Sequence, residues 1–170
     1  MRIIISTVIL TLALAGCSNA EQDAKKSDTT KEPVTVSQQE DNWEVSPSFK
    51  SNDREMRGIQ GKIGILGPSF IAGKVDKFMW HFWGDRRVFD SRKVKIVAVN
   101  KRTGEKVQTL IQDAGTSNER KVWEYDGLGG PNNGADAHMP SNMSLPSSGV
   151  WRLNVYIGEE FFGSVIVEVQ

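Results

Sequence analysis

Beyond Trp43 the apolar residues recur with a period of two, in short runs separated by turn residues, as they do in half-buried strands. Between Arg92 and Val99, Val94, Ile96 and Ala98 fall on one face, with Lys93 and Lys95 on the other. Asn100-Lys101-Arg102-Thr103-Gly104 reads as a hairpin turn, and Val107, Thr109 and Ile111 predict a returning alternating strand. The C-terminal pattern is the clearest. Trp151, Leu153, Val155 and Ile157 oppose Arg152, Asn154 and Tyr156, and a turn follows at Gly158-Glu159-Glu160. Phe161, Val165, Val167 and Val169 then return on the inner face, with Ser164 and Glu168 outside. Earlier strands are predicted over Ile59–Leu66, with Ile59, Gly61, Ile63 and Ile65 sharing a face, and over Lys77–Trp83. Shorter ones are predicted near Trp43–Phe49 and Lys121–Tyr125. No apolar helical period persists for three turns. Short strands at roughly 8–12-residue spacing, joined by hairpins, predict an all-β fold, an immunoglobulin-like β-sandwich.

One stretch breaks the rhythm. From Asp126 to Ser148 the chain is rich in Gly, Pro and Asn, with little that predicts a strand. Loops longer than about 12–15 residues are uncommon in compact domains and usually functional or disordered. The section from Ala135 to Pro146 is expected to be ordered, with Met139 and Leu145 packed on the sheet. That would hold Asp136 and His138 beside the Trp80–Gly84 segment.

The first residues follow a different logic. Arg2 supplies one positive charge, and Ile3–Ala15 is almost wholly apolar. At roughly 13 residues this run is shorter than the ~20 of a spanning helix, and within the range of a signal h-region. It ends in Leu14-Ala15-Gly16-Cys17, which resembles a bacterial lipobox. The resemblance implies a lipoprotein signal peptide at 1–16, cleaved before Cys17, and a diacylglycerol thioether on Cys17 with further acylation (palmitate-type chains) of the freed amine. Two or more acyl chains anchor stably where one binds reversibly. Cys17 is the only cysteine, so its lipidation leaves no thiol for a disulfide, a nucleophile or a metal.

Ser18 to about Asn42 holds almost nothing apolar, too little to offset chain entropy, and reads as a flexible linker. All five tryptophans, both tyrosines and all seven phenylalanines lie beyond it, which sets the organisation as 17–42 lipidated Cys and linker and 43–170 sandwich domain. The 21 basic and 21 acidic residues become 20 and 21 once Arg2 is removed, a net of −1 that gives no electrostatic case for nucleic acid as partner.

Trp80-His81-Phe82-Trp83-Gly84, the Gly-Ala-Asp-Ala-His run at 134–138, Pro140-Ser141-Asn142, and the run from Leu145 to Leu153 resemble a family of uncharacterised Bacillus-type lipoproteins. Phe162-Gly163-Ser164 before a Val/Ile strand is similar too. The likeness covers the chain from about Trp43 onward. It implies an immunoglobulin-like extracytoplasmic domain in a Gram-positive cell, and it carries over no functional residue.

The candidate site residues are His81, Trp83, Asp136 and His138. His81 and His138 are the only histidines and sit in the two most distinctive segments. With Asp136 and Met143 they offer the alternative of a copper or zinc site of imidazole, carboxylate and thioether. The plainer reading makes His81 a half-buried strand residue and His138 a loop hydrogen-bonder. Trp83, Phe89 or Tyr156, if exposed, would form a stacking platform for a sugar, whereas Trp80, Trp123 and Trp151 are expected in the core. Ser141, Ser144, Ser147 and Ser148 lack a nucleophile-elbow motif, and the glycine series matches neither a P-loop nor a dinucleotide fingerprint. The expectation is therefore a non-catalytic binding module without cofactor, held to the cell membrane on its extracytoplasmic face. Its partner would be an envelope protein, a cell-wall glycan or a metal ion, in that order.

Overall fold

The computed structural model describes residues 42–90 and 93–170, all within one compact unit, Ser37–Gln170. The signal peptide, Cys17 and the linker up to residue 41 lie outside the described residues. Among the described residues the chain runs β1 (Ser48–Ser51), β2 (Arg54–Ile59), β3 (Ile63–Leu66), β4 (Asp76–Phe82), α1 (Arg86–Phe89), β5 (Val94–Asn100), β6 (Lys106–Gln108), β7 (Leu110–Gln112), β8 (Arg120–Val122), β9 (Glu124–Tyr125), β10 (Ala137–Met143), β11 (Gly149–Ile157) and β12 (Glu160–Val169). A seven-stranded antiparallel sheet has the order β1-β2-β3-β4-β10-β7-β8, and a five-stranded one the order β12-β11-β5-β6, with β9 also on β5. The two pack through one core, as the alternating pattern predicts for a β-sandwich.

The inner faces follow the expected parity. Phe78, Trp80 and Phe82 on β4 meet Val94, Ile96 and Ala98 on β5 and Trp151, Leu153, Val155 and Ile157 on β11, all at most 2% exposed. Trp80 buries its indole N–H by donating to Ser141 Oγ at 3.1 Å. Trp151 does so by donating to the Ser147 carbonyl at 2.9 Å. Both aromatics therefore keep a polar partner inside the core, which an indole requires.

The structure departs from the pattern where the chain changes sheet or register. The strand expected through Val107, Thr109 and Ile111 is two: β6 pairs with β5, and after the buried Thr109 the chain crosses to the other sheet as β7. The Lys121–Tyr125 strand likewise divides into β8 on one sheet and β9 on the other, with Trp123 between them. Ile59–Leu66 is a hairpin, with Gly61 in its turn at φ 72° and Ile59 exposed. The β11–β12 ladder pairs Val155 with Gly163 and Tyr156 with Phe161, which leaves Phe162 as a bulge. That extra residue turns Phe161 out to solvent and Phe162 toward the Phe82 and Phe89 rings, both 5.8 Å away.

Ser164, expected outside, is buried because Asn42–Pro47 lies along β12: Ser46 N–H donates to the Ile166 carbonyl, and Ile166 N–H donates to Ser46 Oγ. At its other end β12 is bridged in parallel by Phe70, and Ala72 N–H donates to the Gln170 carbonyl. Both contacts cover a strand edge that would otherwise invite pairing with another chain.

The largest correction concerns Asp126–Ser148. Its second half is β10, a central strand paired with β4 from Ala137↔Phe82 to Met143↔Asp76. Met139, Ser141, Met143 and Leu145 are buried, so the alternation is present but carried by Ala, Met and Ser. Those residues, with Pro140 exposed on the outer side, hid a strand in a sequence that looked like loop.

Candidate functional site

Pairing of β10 with β4 places His138 directly opposite His81 on the outer face of the seven-stranded sheet. The preceding residues fold back over this face. Gly129 and His138 exchange backbone hydrogen bonds, and the His138 ring packs so closely that a Cβ on Gly129 would lie 2.3 Å from it. His138 Nδ1 lies 2.7 Å from the Gly130 carbonyl. Trp83 Nε1 donates to the Gly134 carbonyl at 2.6 Å, and Ser51 Oγ donates to the Asn133 carbonyl at 2.7 Å. Asp136 Oδ2 accepts from the Gly84 N–H at 2.9 Å. The four residues singled out in the sequence thus come together, and each fastens this cover or lies beneath it.

His81 is the residue beneath. It is fully buried, with Asn133 Nδ2 3.0 Å from its Nε2 and no hydrogen-bond partner for Nδ1. An amide N–H at Nε2 makes that nitrogen the acceptor and puts the proton of the neutral ring on Nδ1. Burial holds the pKa of His81 below its ordinary 6.5; the backbone of Met79 and Gly64 pulls it upward and the neighbouring His138 lowers it. The expected half-buried strand residue is a fully buried neutral one.

The alternative metal set is not assembled. Met143 is on the opposite face of β10 from His138, in the core, five residues and roughly 16 Å along the strand. Asp136 is engaged with Gly84, and among the described residues no three His, Cys, Asp or Glu side chains converge. The expected aromatic platform is also dispersed. Phe89 is in the core, Trp83 abuts Phe49 edge-on with ring centres 5.9 Å apart, and Tyr156 is on the other sheet.

A larger groove lies elsewhere. Where the chain crosses between sheets at Thr109 and again at Trp123, the strands splay and open a groove of about 760 Å³ on the outer face of the five-stranded sheet. Trp123, expected in the core, stands at its wall 40% exposed, and its carbonyl accepts from the Ile96 N–H at 2.9 Å. Val97 and Tyr156 also line it, and Phe161 extends the aromatic surface through an edge contact with Tyr156 at 5.5 Å. Trp123 and Phe161 are the two aromatics among the exposed large apolar side chains, and both serve this one face.

Around this apolar strip are Lys95, Lys106, Arg120 and Lys121, against one carboxylate, Glu124. Glu124 is held by Lys93 at 2.8 Å, and Arg120 is paired with Asp113 at 3.2 Å. Lys95 lies 5.0 Å above the Tyr156 ring and 4.0 Å from the exposed Glu159. Lys106 and Lys121 have no ion pair among the described residues, so the groove keeps a positive field in a domain otherwise balanced in charge. Sequence reasoning missed it because it joins residues from five strands. Its one local signal was a tryptophan within Lys121-Val122-Trp123-Glu124, a segment too short to be a core strand.

The family profile described as "Domain of unknown function (DUF4871)" matches residues 34–167. The chain belongs to this family. Its fold is similar to the crystal structure of a candidate lipoprotein from Bacillus anthracis, with a TM-score of 0.62 and 26% identity, covering 85% of this chain and 100% of that one. No curated protein matches. The DUF4871 match and the lipoprotein likeness bear out the resemblance to an uncharacterised Bacillus-type lipoprotein family.

Proposed function

We propose that this DUF4871 chain is a lipid-anchored, extracytoplasmic binding module, not an enzyme, and that it engages an envelope partner through the groove walled by Trp123. The lipobox-like Leu14–Cys17 motif and the likeness to a lipoprotein support the anchor. Among the described residues no helix is long and apolar enough to cross a membrane. The observation that carries the binding role is the exposure of Trp123 within a concave, cation-lined surface. A tryptophan left 40% exposed on a folded domain forgoes much of its burial, and exposed aromatic surface of this kind marks interaction sites.

The test is retention of the protein on purified cell-envelope material. The wild-type chain should be retained, and Trp123→Ala combined with Lys121→Glu should weaken retention about tenfold while leaving the circular-dichroism spectrum and the thermal midpoint unchanged. Equal retention of wild type and double variant would remove the groove from the function.

A further inference from the structure

Resting on that reading of the groove, we infer that its ligand is an anionic glycan, a chain of sugar rings bearing carboxylate or phosphate groups. Three features of the groove select this class. The first is the exposure of Trp123 on the groove, with Tyr156, its ring beneath Lys95, on β11 across β5. Flat π surfaces at a half-open site suit the C–H face of a pyranose, which stacks without needing a closed pocket. The second is the placement of cations. Lys106 on β6 and Lys121 on β8 stand on separate strands of different sheets, with Lys95 on β5 between the aromatics. Charges spread along a groove match a ligand whose own charge repeats, whereas a single small anion would need them converged on one point.

The third feature narrows a common alternative. An acidic peptide binding at the floor of the groove by strand addition needs unpaired backbone groups there. The edge of β5 is already occupied, by β6 at Val97–Val99 and by β9 at Val94–Lys95, and the Ile96 N–H between them is spent on the Trp123 carbonyl. Strand addition on β5 is therefore closed, and peptide pairing could reach only the outward edges of the terminal strands β6 and β8, whereas the groove's side chains offer ring stacking and positive charge.

The experiment is calorimetric titration of the full-length protein in nonionic detergent micelles. The four probes are oligogalacturonate, phosphomannan, neutral dextran and poly-L-glutamate. Binding is expected for one or both of the acidic glycans, and which one binds distinguishes carboxylate from phosphate as the recognised group. Dextran and polyglutamate should bind at least about tenfold more weakly, because each lacks one of the two features. Trp123→Ala should lower acidic-glycan affinity about tenfold, and Lys106→Glu with Lys121→Glu should do the same and flatten the salt dependence. Polyglutamate binding as tightly as the glycans, with Trp123→Ala silent, would replace the glycan by an acidic polypeptide and overturn the inference. So would no binding of any probe while envelope retention still depends on the groove and is abolished by protease treatment of the envelope. That last outcome leaves the proposed function standing, whereas loss of groove-dependent retention removes both.

Discussion

A single side chain, His81, couples the cover over the seven-stranded sheet to pH. It is fully buried, its Nδ1 has no hydrogen-bond partner among the described residues, and burial keeps its pKa below 6.5. In the unfolded chain the ring titrates at its ordinary value, so below about pH 6.5 the unfolded state binds more protons than the folded one. Stability is therefore complete above pH 6.5 and falls as the pH drops from there toward the lowered folded value. Urea midpoints at pH 7.5 and 5.0 should show that loss in the wild type. In His81→Gln, which keeps an amide to meet Asn133, the loss should be smaller. An unchanged pH dependence in the variant would assign the effect to other groups.

Among the elements, the segment Asn42–Pro47 is assigned no strand, yet it covers the outer side of β12. Arg152 donates to the Asn42 carbonyl at 3.0 Å and stacks over the Trp43 ring at 4.0 Å, while Ser46 bonds Ile166 in both directions. Removing it would expose Ser164 and Ile166, now 6% and 7% exposed, together with a length of strand edge. A chain beginning at Ser48 should be less stable by more than about 1 kcal/mol than one beginning at Asn42, and more prone to associate. Equal urea midpoints would mean that the segment is an ornament on an already complete sandwich. The sequence places its domain boundary at Trp43, where aromatic residues begin. It did not reveal the contact, because Glu44 and Val45 are both exposed and leave no periodic signal.

At the scale of the whole molecule, the β-sandwich proposed to bind an envelope partner follows a lipobox-like motif. The anchor reading rests on Leu14-Ala15-Gly16-Cys17, whose thiol is needed for acylation. Cys17→Ala should release the protein from the membrane fraction or leave it as the uncleaved precursor. Fractionation and mass spectrometry of the intact chain check this, and wild-type processing and retention of the variant would refute it. The groove should be unaffected in that variant, because it is built entirely from residues beyond Lys93.

The alternation of Val, Ile, Leu and Trp determined β4, β5 and β11 with their inner faces, and that of β12 from Val165 onward, since period-two burial is written directly in residue order. It also determined that the fold had two layers. Tertiary structure alone decided where strands stop, cross and slip. β10 became a central strand with Ala, Met and Ser inside because β4 and β7 supply both of its ladders, and neighbours that satisfy the backbone outweigh weak strand preference. Phe161 and Trp123 reached solvent for related reasons. One extra residue at Phe162 inverted the parity of the strand, and a change of sheet at Trp123 ended the alternation. His81, Trp83, Asp136 and His138 were recognisable as a set, but only the fold showed them fastening a cover. The groove required strands distant in sequence to part at a corner, and a period along one chain carries no information about that distance.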